Sequence, residues 1–294
     1  MTQRKFHPLR LTSLAWVLAS TSAFAAEELA SYALDTQVCI SSEQRTRGTS
    51  DSLNGPSAKL AIQWAHESGA SALVEFNSVS KKQFQGGNGT ALVLALGYRG
   101  GNPEGWHYGA GVVTEFFPGA GVETPHRIDP TTLEPSDLRR TRFNSAFAAL
   151  ELGWNNLEVR LMNVISKTYR GIDTGTVCGT LLSLRTDPSA GLSCYGRGDR
   201  NSRGSLLLDV SYKYAINPTT TLIAHVGRQH VRNFEEANLT DLGLSLKHQR
   251  WGYEWAVDWV SPRAKARELY LVQDGTRTRA TDSNRVVVSV ARKF

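Results

Sequence analysis

Twelve stretches of period-two sequence, separated by connections that are strictly short, then long, then short again, restrict this chain more than any other feature. Apolar and polar residues that alternate over about ten positions describe an extended strand with one greasy and one polar face. The twelve stretches run Ser31 to Ser42, Ser57 to His66, Ala70 to Ser80, Thr90 to Arg99, Trp106 to Phe117, Arg142 to Trp154, Leu157 to Ser166, Ser205 to Ala215, Thr219 to Gln229, Asn238 to Gln249, Tyr253 to Val260 and Asn284 to Phe294. In the fourth, for example, Leu92, Leu94, Leu96 and Tyr98 share one face.

The short connections are 67–69, 100–105, 155–156, 216–218 and 250–252, and the long ones are 43–56, 81–89, 118–141, 167–204, 230–237 and 261–283. An even number of strands near the ~9–11 residues that cross a bilayer obliquely, with tight turns at one end and long loops at the other, specifies an antiparallel transmembrane β-barrel. Strand order then puts both termini on the turn side, the periplasmic side of an outer membrane. A soluble β-sandwich would instead need a second protein layer over the apolar face.

The two faces assign roles. Opposite the apolar side chains stand Glu75, His107, Glu115, Glu151, Arg160, Asp209, Lys213, His225, Asp241, Lys247, Glu254 and Asp258, interspersed with Gly109, Gly111 and Gly243. Mixed charges with small residues suit a lumen, so these twelve are the candidate pore lining, subject to register, since a slip of one residue exchanges the two faces. On the apolar face a large aromatic flanks each short turn: Trp64, Tyr98, Trp106, Trp154, Tyr214, Tyr253 and Phe294. Amphipathic rings favour a headgroup boundary, which makes these seven a candidate periplasmic aromatic girdle.

The N-terminus carries Arg4, Lys5 and Arg10, then an apolar stretch from Leu11 to about Ala19, then Ala23-Phe24-Ala25. This is the pattern of a cleaved Sec signal peptide over residues 1–25, leaving a barrel over 26–294. Its removal takes away three of 33 basic residues and none of 27 acids, so the mature excess of +3 gives no reason to expect nucleic acid as a partner. Export also favours oxidation. Cys178 and Cys194 close a segment of about 17 residues, for which a disulfide contributes roughly 3 kcal/mol, while Cys39 is left as an odd thiol.

The last strand ends on Phe294, resembling the signal that outer-membrane proteins offer to the barrel-assembly machinery. Residues 31–80 resemble the TorF-type porin family of proteobacterial outer-membrane proteins through Arg47-Gly48-Thr49-Ser50, Pro56-Ser57-Ala58, Trp64 to Gly69 and Val74 to Val79. Gln44 and Thr46 stand where family members carry aromatics. The resemblance covers under a fifth of the chain and implies a porin of undefined substrate, without catalytic residues to carry over.

The expected function is therefore passive diffusion of small hydrophilic solutes across an outer membrane. Membrane lipid and lipopolysaccharide, the latter through arginine-rich long loops, are the expected partners. Those arginines could also form a basic mouth that attracts anions. The competing classes are a barrel enzyme of phospholipase or protease type and a non-conducting structural or adhesive barrel. No histidine sits beside a serine or aspartate in a pattern that names a nucleophile and its base, and no metal or cofactor spacing occurs. The fourth long loop, with its cysteine pair, is the candidate constriction.

Overall fold

The computed structural model describes residues 31–294 apart from 130 and 186, so the signal-peptide segment lies outside the described residues. Twelve strands close into one antiparallel barrel. They are β1 (Tyr32–Ser41), β2 (Ser57–His66), β3 (Ala70–Ser78), β4 (Thr90–Gly101), β5 (Trp106–Phe116), β6 (Ser145–Trp154), β7 (Leu157–Val164), β8 (Leu206–Asn217), β9 (Thr220–His230), β10 (Leu239–Arg250), β11 (Tyr253–Ala264) and β12 (Arg285–Lys293). Each pairs with its sequence neighbours, and β1 closes the cylinder against β12 from Gln37↔Lys293 to Ser41↔Ser289. Closure leaves no unpaired edge in the barrel wall, which is the condition for placing strands in hydrocarbon.

The side-chain alternation follows the expected faces in every strand. Leu96, Leu150 and Val286 are about 60% exposed on the outside, whereas their neighbours Ala95, Ala149 and Val287 turn inward. Five tight turns gather at one end of the barrel, with both ends of the described chain. Three of them leave two residues between strands, Asn155-Asn156, Pro218-Thr219 and Trp251-Gly252; Asn155, Trp251 and Gly252 take left-handed φ angles of 51°, 56° and 76°. This geometry matches the strand twist. Trp106 and Trp154, opposite each other beside such turns, bring their rings to 6.3 Å.

The long loops at the other end carry structure that period-two reading does not anticipate. The third holds a hairpin, Gly121–Ile128 with Pro135–Arg142, and the sixth a smaller one, Leu271–Asp274 with Arg277–Ala280. The fourth holds two helices, α1 (Thr174–Leu184) and α2 (Ser189–Gly196), where no helical period is evident in the sequence. Helix α1 starts at a capping box: the Asp173 side chain accepts from the Thr176 backbone amide and the Thr176 hydroxyl accepts from the Asp173 amide. A Cys178–Cys194 disulfide joins the helices, and Cys39 is free.

A twelve-stranded cylinder is wider than its own side chains can fill, since about eight strands suffice for that. Loops therefore enter it. Val177, Cys178, Leu181, Cys194 and Tyr195 of the fourth loop pack on inward Phe147, Met162, Val164 and Leu207 from β6, β7 and β8. Phe234 and Ala266 from the fifth and sixth loops complete this apolar cluster.

Candidate functional site: the barrel lumen

The inner wall is organised by a row of residues in register across eight strands. Arg99 of β4 stands opposite Gly109 of β5, which stands opposite Glu151 of β6; the row continues through Arg160, Asp209, Gly227 and Asp241 to Pro262 of β11. Opposite charges alternate along it from Arg99 to Asp209, and Gly109 lets Arg99 reach over to pair with Glu151. A Cβ at that glycine would stand 3.2 Å from Arg99 Cγ. Arg160 donates to Glu151 at 2.8 Å and to Glu158 at 3.0 Å, and Lys213 Nζ lies 3.1 Å from Glu158.

All twelve residues expected to face inward lie on that side of the sheet, and Glu75, Glu115, Asp241 and Lys247 are buried. Most join ion pairs. His225 Nε2 is 3.0 Å from Asp241 and 3.7 Å from Asp209; Lys247 pairs with Glu254 at 2.9 Å; Asp258 stands in register with Ser245. Glu75 accepts from Asn77 at 2.8 Å, with Lys59 4.0 Å away. His107 sits apart from the rest, its Nδ1 3.3 Å from the Gly105 carbonyl beside a turn. Six of the seven aromatics expected to form a girdle lie on the outer face near tight turns, and Phe294 follows the last strand at the same end of the barrel.

Arg47, Asp51, Arg99 and Arg170 complete the lumen network and were not singled out by alternation. Arg99 continues the β4 alternation one place beyond Gly97 and was legible there; the other three lie in loops, where period carries no information. The first loop, 42–56, leaves β1 and returns to β2, yet Arg47 at its tip pairs with Asp209 of β8, six strands round the barrel from β2. This loop reaches into the lumen, which it shares with the fourth loop, the candidate constriction. Arg47 and Gly48 hold left-handed φ angles of 49° and 74°, and a Cβ at Gly48 would stand 2.8 Å from Asp241 Cβ and 2.9 Å from Pro262 Cβ. Only glycine fits so close to β10 and β11.

The fourth loop meets the first inside the mouth. Arg170 donates to Asp51 at 2.8 and 3.2 Å and to Glu115 of β5 at 2.9 Å, with its guanidinium 5.5 Å over the Phe117 ring. Burial alone would lower the Arg170 pKa, but Asp51 and then Glu115 outweigh it and hold the pKa well above its ordinary value. Burial pushes neighbouring Tyr169 up to about 12.

The arginine-rich loops form a clasp of ion pairs rather than an open basic field. Arg139 bridges Asp137 and Asp199, Arg185 pairs with Glu268 at 3.1 Å, Arg197 with Glu236 at 2.8 Å and Lys82 with Asp274. His126 is buried between Asp199 (2.7 Å) and Asp173 (3.6 Å), joining the third loop to the N-terminus of α1. His66 Nδ1 meets Ser68 at 2.8 Å on an exposed turn.

Below the loops lies a cavity of about 80 Å³, lined on its inward side by Leu73, Val93, Ala95, Val113, Ala149 and Met162, with Arg99, Glu151 and Arg160 at its polar end. One water needs roughly 10–15 Å³ of such space, so several fit.

Residues 149–294 match the model of a family described as a bacterial protein of unknown function, Gcw_chp. No curated protein matches the chain. Among solved structures, the NanC porin in a rhombohedral crystal form resembles it with a TM-score of 0.50 and 12% identity over 88% of this chain and 98% of that one. The KdgM porin aligns with a TM-score of 0.47 and 9% identity over 88% and 99%, and the KdgM porin in complex with disordered oligogalacturonate with 0.46 and 9% over 89% and 98%. At such identity the likeness to the NanC porin is one of fold.

Proposed function

We propose that this porin-like barrel is a channel of a bacterial outer membrane, passing small hydrophilic solutes by diffusion along a hydrated lumen that the first loop narrows. The observation that carries this reading is the division of chemistry between the two sides of one closed sheet. Outside, Leu, Val, Trp and Tyr side chains stand exposed on strand after strand, an apolar area far beyond what a water-soluble monomer presents. Inside, polar and charged side chains hold buried atoms that have no hydrogen-bond partner among the described residues: Glu75 Oε2, Asn77 Oδ1, Asp241 Oδ1, and Nε and Nη1 of Arg47. Each would cost about 1–3 kcal/mol in a dry interior, so the lumen is wet.

In this reading the seven aromatics mark the periplasmic headgroup boundary, both termini lie in the periplasm, the twelve inward charges line the water path, and Phe294 ends the strand read by the assembly machinery. Lipid and lipopolysaccharide surround the outer wall. The chain is not an enzyme in this reading: the partners of His126 and His225 are carboxylates, and His66 has only a turn serine.

Planar-bilayer recording of the purified, folded barrel tests it. Stepwise conductance that falls as the solute radius grows is expected. A folded barrel that gives no conductance, or a polypeptide that stays native and monomeric in water without detergent, rejects it.

A further inference from the structure

The Arg47-Gly48 tip carries the first loop against β8, β10 and β11, and its chemistry is specific. Arg47 is more than nine-tenths buried, pairs through Nη2 with Asp209, and leaves Nε and Nη1 without a protein partner. Asp209 and Asp241 lie in one inward row separated only by Gly227, so two carboxylates face the lumen where the loop lands. His225 lies between them. The loop is fastened at other points: Arg45 donates to the Gly48 carbonyl and to the Ser283 carbonyl at 2.9 Å, the Ser50 amide to the Thr281 carbonyl at 2.9 Å, and Arg170 holds Asp51. A guanidinium in this position is therefore fixed against Asp209, one place along the row from Asp241, rather than swinging in the channel.

We propose that Arg47 is the charge-selectivity residue of the channel: by offsetting Asp209 where the loop lands, it keeps a doubly acidic section of the lumen from selecting cations. This rests on the channel reading given above. A unit charge within several ångströms of the ion path, felt through lumen water, favours one ion and disfavours its counter-ion, changing their permeability ratio by about fivefold. The same logic fixes the sign for each partner. Neutralising Arg47 exposes Asp209 and Asp241 and shifts selectivity toward cations; neutralising Asp209 leaves Arg47 unopposed and shifts it toward anions.

Reversal potentials in a potassium chloride gradient across a planar bilayer test this, with heat-dependent gel mobility verifying that each variant is a folded barrel. Arg47→Gln is expected to raise the potassium-to-chloride permeability ratio about fivefold, Asp209→Asn to lower it, and Arg47→Lys to retain the starting value. The double variant Arg47→Gln with Asp209→Asn returns close to the starting value, which displacement of a merely structural loop would not do. Gly48→Ala, which unseats the tip, shifts selectivity in the direction of Arg47→Gln and enlarges the conductance. Conducting variants whose reversal potentials do not move overturn the role of Arg47 and leave the channel standing. Absence of conductance from the unaltered protein overturns both.

Discussion

The guanidinium of Arg170 chelates the carboxylate of Asp51, with Nη1 2.8 Å from Oδ1 and Nη2 3.2 Å from Oδ2, across 119 positions of sequence. This contact ties the fourth loop to the first inside the barrel mouth, and Glu115 of β5 ties both to the wall. Neither aspartate nor glutamate has appreciable access to solvent, their side chains being 4% and 3% exposed.

Removing one partner of a buried pair strands the other charge, at a cost of about 3–5 kcal/mol. Arg170→Ala should therefore free both loops while the strands stay paired. Protease cleavage within 42–56 and 167–204 is expected to accelerate, with the heat-stable gel mobility of the barrel retained. Unchanged cleavage would show that the apolar cluster around Phe147 alone holds the fourth loop.

A charge on the outer wall tests the facing of the strands. Leu150 is 59% exposed and midway along β6. Leu150→Arg should lower folding stability in lipid vesicles by roughly 2–4 kcal/mol, measured by denaturant titration, as expected of a cation at mid-bilayer depth. A loss under about 1 kcal/mol would place that face out of hydrocarbon.

Reduction of the Cys178–Cys194 bond removes a restraint worth about 3 kcal/mol on the segment holding α1 and α2. Hydrogen exchange should rise across 174–196 and stay unchanged in β1 to β5. Equal rises throughout would mean that the helices are integral to barrel stability.

Acid should loosen the loop clasp before the barrel. Burial tends to raise the Asp199 pKa, but hydrogen bonds and charge attraction from His126 and Arg139 win and hold it below the ordinary value. Hydrogen bonding to Lys82 lowers Asp274 in the same way. A carboxylate depressed in the folded state contributes stability that is complete above its unfolded pKa of about 3.9 and is lost as pH falls through the lower folded value. Proteolysis of the third and sixth loops should therefore be flat above about pH 5 and increase below about pH 4; an increase centred near neutrality would assign the clasp to histidine instead.

What the sequence determined was the wall. Ser57 to His66 reads as a strand and is one, residue for residue, because a membrane-type sheet imposes one rule at every position: hydrocarbon chemistry outside, lumen chemistry inside. The alternation of turn and loop lengths likewise prescribed antiparallel neighbours all the way round. The loops obey no such period. Helix α1 has three threonines and two glycines among its first seven residues rather than an amphipathic stripe, and its one local sign is the Asp173 and Thr176 cap. Its place is set by the disulfide and by Phe147 and Leu207 beneath it. That the first loop reaches into the lumen, and that Arg47 meets Asp209 there, depended on closure of the cylinder, because only closure brings residues six strands apart face to face across a space too wide for wall side chains to fill.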